Sequence, residues 1–369
     1  MKLKSIIFLL ILFFNLLSCA QDKNPKNKEH SYEVVVSDLD IPWGFVFLPD
    51  NSMLITEKSG ELIHFKKGEK TMITGLPKVT VLGQGGLMDI ELHPNYQENG
   101  WVYLSYASSE DEDEDSANTT IMRAKLKGST LIEKQVLYKA SPDSRRGQHF
   151  GCRLEFDNDG YLYFSIGDRG NRDVNPQDIS LDCGKVYRLN DDGSIPDDNP
   201  FIDIKNAKKA IFCYGNRNIQ GMVKHPETGE IWTHEHGPKG GDEINIIRAG
   251  KNYGWPLISY GVNYSGTKFT DHTSLPGMEQ PMYYWVPSIA PSGMAFISSD
   301  VYPGWKGNLL VGSLKFQYLN RCVIENNKVV KQEQLISGLG RVRSVKQGPD
   351  GYIYAGVENV GIVKIIPKK

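Results

Sequence analysis

The chain has 369 residues, a formal net charge of −2 and 40% hydrophobic residues. A charge so near zero gives no electrostatic argument for binding to nucleic acid or to an anionic membrane surface. The length and apolar content suit one large all-β domain with a substantial core, since such domains often exceed the usual length per domain.

The first 19 residues have the composition of a targeting segment. Lys2 and Lys4 precede an apolar run at 6–17, which at about a dozen residues is too short to span a bilayer and suits a secretory signal. The run ends in Leu-Leu-Ser-Cys at 16–19, which resembles a bacterial lipobox. We therefore expect Cys19 to be lipidated and to become the mature N-terminus. The alternative is ordinary signal cleavage that discards this cysteine.

Residues 20–31 are polar, as expected of a tether between the targeting segment and a folded domain at 32–369. The pattern predicts an exported protein of the cell envelope, with its folded part in the periplasm or outside the cell. Its membrane contact is expected only through the lipid on Cys19.

Beyond the tether the chain repeats one pattern six times. Each copy has a Gly with apolar neighbours, then a turn with Pro, Asp or Gly, then an alternating apolar strand. The strands after the turns are 53–56, 101–105, 161–165, 231–233, 308–311 and 352–355. Recurring short strands without a sustained helical period predict an all-β, six-bladed β-propeller of four-stranded antiparallel blades. The late strand pattern at 357–366 is expected to close the ring against the strand at 32–36.

Two further features have structural interpretations. The cysteines beyond the targeting segment lack Cys-x-x-Cys spacing, so a zinc site is not expected. An exported chain permits disulfides in any of three pairings, and buried free thiols are the alternative. These cysteines are Cys152, Cys183, Cys213 and Cys322. The acidic run at 110–115 is interpreted as a solvated loop, because consecutive carboxylates repel each other.

Chemistry-bearing residues cluster from Tyr214 to Gly221, where the sequence reads Tyr-Gly-Asn-Arg-Asn-Ile-Gln-Gly. Arg supplies a planar fork of donors, Asn and Gln supply paired donors and acceptors, and Gly lets a ligand approach the backbone. His236-Gly237-Pro238 and then Asp242-Glu243-Ile244-Asn245 follow soon after. This composition predicts a site that grips a flat, oxygen-rich anion.

These motifs resemble the soluble pyrroloquinoline-quinone sugar dehydrogenases of the glucose/sorbosone dehydrogenase family. The resemblance runs from Ile41 to the end of the chain, and the length is similar to the shorter aldose dehydrogenase branch. Further motifs that carry it, in the family's order, are Gly83-Gln84-Gly85-Gly86-Leu87, Ile166-Gly167-Asp168, Asn252-Tyr253-Gly254-Trp255-Pro256, Ala290-Pro291-Ser292, Ser313-Leu314-Lys315 and Arg341-Val342-Arg343.

The resemblance implies an enzyme that oxidises the anomeric carbon of aldoses to lactones. His149 would be the general base that takes the proton of the anomeric hydroxyl while a hydride passes to the quinone. Arg217 would polarise the accepting carbonyl and is therefore counted with His149 as catalytic. Gln84, together with His149, would contact the sugar. The enzyme is expected to be a monomer that delivers its electrons to a further acceptor.

Pyrroloquinoline quinone is a flat tricarboxylate, so the resemblance implies a cationic and amide-rich binding site. In a propeller, loops from different blades converge on one mouth, and a strongly cationic mouth is expected here. The alternative for Arg341 and Arg343 is that they are exposed charges at a strand edge. The cofactor-binding residues implied are Gln148, Arg217, Asn218, Gln220, Trp285, Lys315, Arg341 and Arg343.

Two of these positions need comment. Trp285 would pack on a ring face of the quinone. Gln148 stands where the family has Asp just before the base, so no carboxylate at this position is expected to orient His149 or to assist binding.

The resemblance also implies calcium, a hard ion that prefers oxygen ligands, including backbone carbonyls. The Gly237 and Pro238 carbonyls match the ligands of the ion that also holds the quinone. Glu243 and the Tyr253 carbonyl match a second, structural site.

Two other classes of protein are considered. A calcium-dependent propeller lactonase would hold its ion with central carboxylates and amides. It has no need of the four cationic side chains expected around the pocket, which are Arg217, Lys315, Arg341 and Arg343. A non-catalytic exported propeller that binds glycans or proteins would explain the fold and the tether. It would not explain His149 in register with Arg217, Asn218 and Gln220.

Overall fold

The computed structural model describes residues 30–110 and 115–367. These residues form six four-stranded antiparallel sheets, which confirms the predicted six-bladed all-β propeller. One short helix, α1 (Tyr96–Asn99), accompanies 24 strands in these ranges. Within the same ranges no helix is both long enough and apolar enough to cross a membrane. The predicted targeting segment with Cys19, most of the tether and positions 111–114 of the acidic run lie outside the described residues.

Each of the first three blades is built from consecutive strands. Blade 1 contains β2 (Pro42–Phe47), β3 (Met53–Glu57), β4 (Leu62–Lys66) and β5 (Glu69–Met72). Blade 2 contains β6 (Leu87–Leu92), β7 (Trp101–Ser108), β8 (Asn118–Lys127) and β9 (Thr130–Lys139). Blade 3 contains β10 (Leu154–Phe156), β11 (Leu162–Ile166), β12 (Lys185–Leu189) and β13 (Ile211–Tyr214).

Blades 4 and 5 continue the same order, and blade 6 takes its fourth strand from the N-terminal side. Blade 4 contains β14 (Ile219–Lys224), β15 (Ile231–Glu235), β16 (Asp242–Ile246) and β17 (Tyr283–Trp285). Blade 5 contains β18 (Pro291–Phe296), β19 (Leu309–Ser313), β20 (Leu319–Glu325) and β21 (Lys328–Leu335). Blade 6 contains β22 (Val342–Gln347), β23 (Ile353–Val357), β24 (Gly361–Pro367) and β1 (His30–Val36).

The ring closes where β1 pairs with β24, as predicted. Pairing runs from His30 opposite Pro367 to Val36 opposite Ile362. The strand therefore begins at His30, so two residues assigned to the tether belong to it. The predicted boundary at residue 32 was drawn where the apolar alternation begins. Backbone pairing with β24 extends two residues further towards the N-terminus.

The six blades run in one direction, so connections of the same kind meet at one end of the ring, which we call the mouth face. The second strand of each blade joins the third at this end, and the last strand joins the first strand of the next blade. The connections that carry predicted site residues are 73–86, 140–153, 215–218, 236–241, 314–318 and 336–341. The 286–290 connection, which follows Trp285, lies at the same end. The topology thereby brings residues far apart in sequence to one surface.

The core lies between neighbouring blades. In one buried cluster, Leu310 and Leu319 of blade 5 pack with Val345 and Ala355 of blade 6. Full burial of an aliphatic side chain of leucine size stabilises a fold by about 1.5–3 kcal/mol, so these contacts hold the blades in place. The cysteines left open by the sequence are free, buried thiols, namely Cys152, Cys183, Cys213 and Cys322.

Candidate active site

A cavity of about 290 Å³ opens around the propeller axis at the mouth face, and we call it the axial cavity. Predicted residues from several blades line it, namely Gln84, Asn218, Gln220, Arg341 and Arg343. His149 and Arg217 lie at its edge, since each hydrogen-bonds to a residue that lines it. The backbone N–H of His149 donates to Gln84 Oε1 at 2.9 Å, which ties the predicted base to the predicted sugar contact, and the Arg217 guanidinium donates to the His236 carbonyl.

His149 is oriented by a carboxylate from blade 3. Its Nδ1 lies 2.6 Å from Asp168 Oδ1, and Trp255 Nε1 donates to Asp168 Oδ2 at 2.8 Å. The Asp168 side chain is 1% exposed, so both hydrogen bonds are formed away from water. Because an ionised carboxylate only accepts hydrogen bonds, His149 Nδ1 carries the proton and Nε2 is left as an acceptor. This is the tautomer required of a general base.

The two side chains have shifted pKa values that agree with this arrangement. Burial lowers the pKa of His149, and although the hydrogen bond to Asp168 opposes the shift, the positive charge of Arg217 adds to it. Burial would raise the pKa of Asp168, but the hydrogen bond from His149 and the nearby charges hold it below its ordinary value. Near neutral pH the pair is therefore a neutral imidazole beside a carboxylate.

The backbone around His149 explains part of the Ile166-Gly167-Asp168 motif. His149 has φ of 58°, a left-handed conformation in which a non-glycine residue is strained. A Cβ at Gly167 would collide with the His149 carbonyl oxygen, so only glycine lets the two chains approach this closely. The close approach places Asp168 within reach of the imidazole.

Hydrogen bonds to neighbouring strands and loops fix the segment at 217–220, which reads Arg-Asn-Ile-Gln. Buried Glu235 accepts from the backbone N–H groups of Arg217 and Asn218. Asn218 Oδ1 accepts from the Gly151 N–H at 3.1 Å, and Gln220 Nε2 donates to the Gly151 carbonyl at 3.1 Å. These contacts hold both amides at the cavity wall.

Arg217 has unused donor capacity. One guanidinium nitrogen donates to the His236 carbonyl at 2.9 Å, and the guanidinium lies 5.3 Å from the centre of the Trp255 ring. Its Nε is buried and has no hydrogen-bond partner among the described residues. A buried charged donor without a partner is costly, so this site suits a ligand that accepts hydrogen bonds.

The strongly cationic mouth that the sequence predicts is partly neutralised. Arg341 and Arg343 both line the cavity, but each pairs with Glu358, which lies between them. Lys315 is exposed at the rim, with its ammonium 4.9 Å from the Phe316 ring centre, and does not line the cavity. Lys58, which the sequence analysis did not single out, lines it instead. Burial, followed by the charge of Arg343, lowers the pKa of Lys58.

Two predicted cofactor contacts lie elsewhere. Trp285 does not line the axial cavity; it ends the outermost strand of blade 4, where its Nε1 donates to Gln332 Oε1 at 2.6 Å. Packing against the outer strands of blade 5 holds it there, so stacking on a ligand in the axial cavity is not supported. The Gln148 side chain packs over Gly170. The backbone carbonyl of Gln148 accepts a hydrogen bond from the Arg169 guanidinium.

The predicted carbonyl pair lies in the β15–β16 connection. Neither the Gly237 nor the Pro238 carbonyl accepts a backbone hydrogen bond within the described residues. Asp242, which is fully buried, fixes this connection by accepting from the Gly237 N–H at 2.8 Å and from Ile289 at 2.8 Å. Burial raises the pKa of Asp242 to about 6. This aspartate therefore joins the carbonyl pair to the 286–290 connection beside the cavity.

Glu243 lies opposite Glu235 on neighbouring strands of blade 4. Burial, followed by the charge of Glu235, raises the pKa of Glu243 to about 8. The Tyr253 hydroxyl donates to the Ile246 carbonyl at 2.6 Å, which packs Tyr253 against the same strand. The described residues contain no cluster of three or more His, Cys, Asp or Glu side chains suited to a metal. A cation here would therefore depend on carbonyl ligands.

Sequence reasoning missed four residues of the site. Asp168 and Trp255 stand inside motifs that were noticed. Each carries a side chain that can form hydrogen bonds, and this was the signal that could have identified it. Lys58 and Glu358 stand in short turns without a motif, and nothing in the sequence marks them.

Comparison with known proteins agrees with the resemblance found in the sequence motifs. The family model described as glucose / sorbosone dehydrogenase matches residues 39–364. The aldose sugar dehydrogenase YliI of Escherichia coli strain K12 is 41% identical over 346 residues, which cover 91% of this chain and 92% of that protein.

Solved structures give the same result at the level of the fold. The soluble aldose sugar dehydrogenase of Escherichia coli, in its apo form, superposes with a TM-score of 0.87 at 39% identity and covers 92% of this chain and 100% of its own. The PQQ-bound form of an aldose sugar dehydrogenase from Streptomyces coelicolor superposes with a TM-score of 0.73 at 25% identity, covering 91% of this chain and 98% of its own.

Proposed function

The chain belongs to the glucose/sorbosone dehydrogenase family, and we propose that it oxidises aldose sugars at the anomeric carbon to lactones, with pyrroloquinoline quinone as cofactor. One observation carries the proposal. A neutral histidine, oriented by a buried carboxylate, lies at the edge of a cavity lined by guanidinium and amide groups. A lactonase would not need this histidine beside so many anion-binding donors.

In the proposed reaction His149 accepts the proton of the anomeric hydroxyl at Nε2. Asp168 holds the ring in the tautomer with a free Nε2 and stabilises the imidazolium that forms, as in other carboxylate–histidine pairs. The proposed contact for the sugar is Gln84, whose side-chain oxygen also accepts a hydrogen bond from the backbone N–H of His149. The lactone then leaves and is hydrolysed to the aldonic acid.

The donor set fits a flat polycarboxylate. Arg217 offers a buried Nε without a partner, Asn218 and Gln220 present amides, and Arg341 and Arg343 with Lys58 leave net positive charge after Glu358 is counted. Guanidinium groups bind carboxylates in a bidentate manner, which suits a rigid planar ligand. When bound, the quinone supplies the two-electron acceptor for the hydride that leaves the sugar.

We propose calcium at two places. The Gly237 and Pro238 carbonyls would hold one ion beside the cavity, and Glu243 with the Tyr253 carbonyl would hold the second. Support comes from the type of donor, since calcium prefers oxygen ligands, and from the Glu235 and Glu243 carboxyl groups, which face each other on neighbouring strands and whose repulsion when both are ionised a cation would relieve. When bound beside the cavity, calcium supplies positive charge for the acceptor oxygen.

The cellular setting is also a proposal. The lipobox-like sequence supports an exported enzyme, anchored at Cys19 in the cell envelope, with the propeller in the periplasm or outside the cell. A monomer is proposed, and its electrons would pass to an acceptor in the same compartment.

Reconstitution tests the proposed function. Purified apoprotein is mixed with pyrroloquinoline quinone and Ca²⁺, and reduction of an artificial electron-acceptor dye is followed with a panel of aldoses. We expect aldose-dependent dye reduction that requires the quinone and is abolished when a chelator is present throughout. Folded protein that reduces no dye with any aldose, and instead hydrolyses lactones without quinone, would favour the lactonase alternative.

Asp168→Asn should lower kcat by at least about tenfold, though less than removal of the base, because the amide no longer fixes the tautomer or stabilises the imidazolium. The pKa of His149 should also fall, since a hydrogen bond and a charge that raise it are lost. In the wild type, kcat/KM should fall as pH drops through the pKa of His149, which burial places below the ordinary value for histidine, because the base is then protonated. In the variant that acid limb should move to lower pH.

The matched control is Asp159→Asn, which changes an exposed carboxylate in the turn of the same blade at the opposite face. Its kcat and pH profile should equal those of the wild type. An unshifted acid limb in Asp168→Asn, with normal thermal stability, would show that Asp168 does not act on His149.

A further inference from the structure

A second, larger cavity of about 1140 Å³ lies at the mouth face between the outer strands of blades 4 and 5, and we call it the rim groove. None of the described residues that line it has a charged side chain. The exposed amide of Gln334 and hydroxyl of Ser337 are interspersed with aromatic rings. Asn320 and Gln332 also line the groove, but their amides hydrogen-bond to each other and to Trp285 and Tyr283. The aromatic residues are Tyr260, Tyr283, Tyr284, Trp285, Phe316 and Tyr318.

Several of these rings are exposed yet held in fixed orientations. Tyr284 is 42% exposed and Phe316 43% exposed. Tyr260 stacks on Tyr284 with ring centroids 3.7 Å apart and planes 10° apart, and Phe316 lies parallel to Tyr318 within 4°. The Tyr260 hydroxyl donates to Gln280 at 3.0 Å, which anchors the stack. Exposed apolar surface of this kind, rimmed by polar groups, marks a binding site.

The rim groove adjoins the axial cavity through two shared walls. In the 286–290 connection Ile289 lines the groove, and the next residue, Ala290, lines the axial cavity. In the 314–318 connection Phe316 lines the groove, and Leu314 lines the axial cavity. A ligand longer than one sugar that enters the axial cavity therefore has the groove as its neighbouring surface.

We propose that the rim groove binds the sugar units that follow the reducing end of a neutral oligosaccharide whose reducing-end unit occupies the axial cavity. This inference rests on the proposed function. Oxidation at the anomeric carbon requires that the reducing end face His149, so the rest of the chain must leave towards the mouth face. The groove receives it on the blade 4 and blade 5 side.

The lining favours a neutral glycan over other ligands. Aromatic rings present flat apolar faces to the C–H faces of sugar rings, while amides and hydroxyls pair with sugar hydroxyls. The lack of charge among the lining residues disfavours an anion or a charged peptide. The concave shape and the intermixed hydroxyl and amide groups separate this surface from a flat apolar patch suited to a protein.

Steady-state kinetics of the reconstituted enzyme test the inference with two series, glucose to maltotetraose and glucose to cellotetraose. In at least one series kcat/KM for the trisaccharide should exceed that for glucose by about tenfold, the equivalent of one or two aromatic contacts. Phe316→Ala and Tyr284→Ala should each lower kcat/KM for the trisaccharide about two- to tenfold and leave the value for glucose within twofold.

Tyr264→Ala is the matched control, because this tyrosine is 72% exposed and lies outside the groove lining. It should leave both values unchanged. Activity with glucose but no dependence on chain length, in either series, would overturn the inference and leave the proposed function intact. Loss of activity with every aldose in the wild type would instead remove the proposed function.

Binding to the apoprotein gives an independent measurement, since the groove is built without the cofactor. Titration calorimetry with the preferred trisaccharide should show binding that Phe316→Ala weakens about two- to tenfold and Tyr264→Ala does not weaken. Groove variants with normal kinetics on all sugars and dyes, but impaired electron delivery to a protein acceptor, would assign the groove to a protein partner and overturn the inference.

Discussion

His149→Ala should lower kcat for aldose oxidation by roughly two to four orders of magnitude, the usual contribution of a positioned general base. The variant loses the proton acceptor, while the guanidinium and amide groups that line the axial cavity are untouched. Affinity for pyrroloquinoline quinone should therefore stay within a few-fold of the wild-type value. Dye-coupled kinetics measure the first quantity, and quenching of tryptophan fluorescence by the quinone in apoprotein measures the second.

The matched control is His272→Ala, which removes an exposed histidine and should leave both quantities unchanged. The left-handed backbone at position 149 is strained with alanine as it is with histidine, and the buried Asp168 carboxylate loses its hydrogen bond from the imidazole. Thermal melting of the variant should therefore show a lower midpoint with a cooperative transition, and kcat is compared at a temperature at which both proteins are folded. A parallel loss of quinone binding and kcat would make His149 a cofactor contact rather than the base.

Local patterns were sufficient to predict the fold. Alternating strands such as 161–165 and 352–355 appear in the structure as second strands of blades, β11 and β23, shifted by one or two residues. Ring closure was also predictable, because a leftover strand at each end of a six-unit repeat has one natural partner. The start of β1 was not, since the pairing of His30 with Pro367 depends on backbone hydrogen bonds rather than on side-chain type.

The site was predictable where a motif supplies the ligand-facing group itself. Asn218, Gln220, Arg341 and Arg343 reach the axial cavity because each stands at or near the mouth-face start of an inner strand. Partners within the site were not predictable, because they meet only after folding. Glu358, for example, comes from a turn of blade 6, and no spacing in the sequence indicates that it neutralises two arginines.

Trp285 is a residue whose type matched the prediction but whose position in the structure did not. An aromatic residue in a matching position has the right chemistry to stack on a quinone, yet its surroundings decide where it lies. Here the indole N–H is already paired with Gln332 of blade 5, and the ring is buried between two blades. The residue type was informative, whereas the direction of the side chain depended on a packing partner 47 positions away.

Arg153 is the side chain through which the inner strands are joined at the axis. Its guanidinium pairs with Asp89 of blade 2 at 3.0 Å, and it donates to the Gln220 carbonyl of blade 4 and the Arg343 carbonyl of blade 6, each at 2.7 Å. It also lies 4.2 Å from the ring centre of Trp43 in blade 1. The side chains of Arg153 and Asp89 are only 7% and 6% exposed.

Arg153→Met should therefore lower the free energy of unfolding by about 3–5 kcal/mol, the cost of breaking a buried ion pair by removing one partner. The methionine keeps most of the side-chain volume, so the effect comes from the unpaired Asp89 carboxylate and from two carbonyls that each lose a hydrogen bond. The Gln220 carbonyl loses the Arg153 donor, and the Arg343 carbonyl keeps only its bond from Ser292 Oγ. Equilibrium unfolding in guanidinium chloride measures the difference. Arg248→Met is the control, because its exposed pair with Glu230 should be worth less than about 1 kcal/mol.

The double variant Arg153→Met, Asp89→Leu separates the ion pair from the carbonyl contacts. If the unpaired carboxylate causes most of the loss, the double variant should be more stable than Arg153→Met alone, since no charge is then left buried. If the carbonyl contacts to Gln220 and Arg343 dominate, the second substitution should restore little. Unfolding of Arg153→Met at the same denaturant concentration as Arg248→Met would mean that the blades are held together by their apolar interfaces alone.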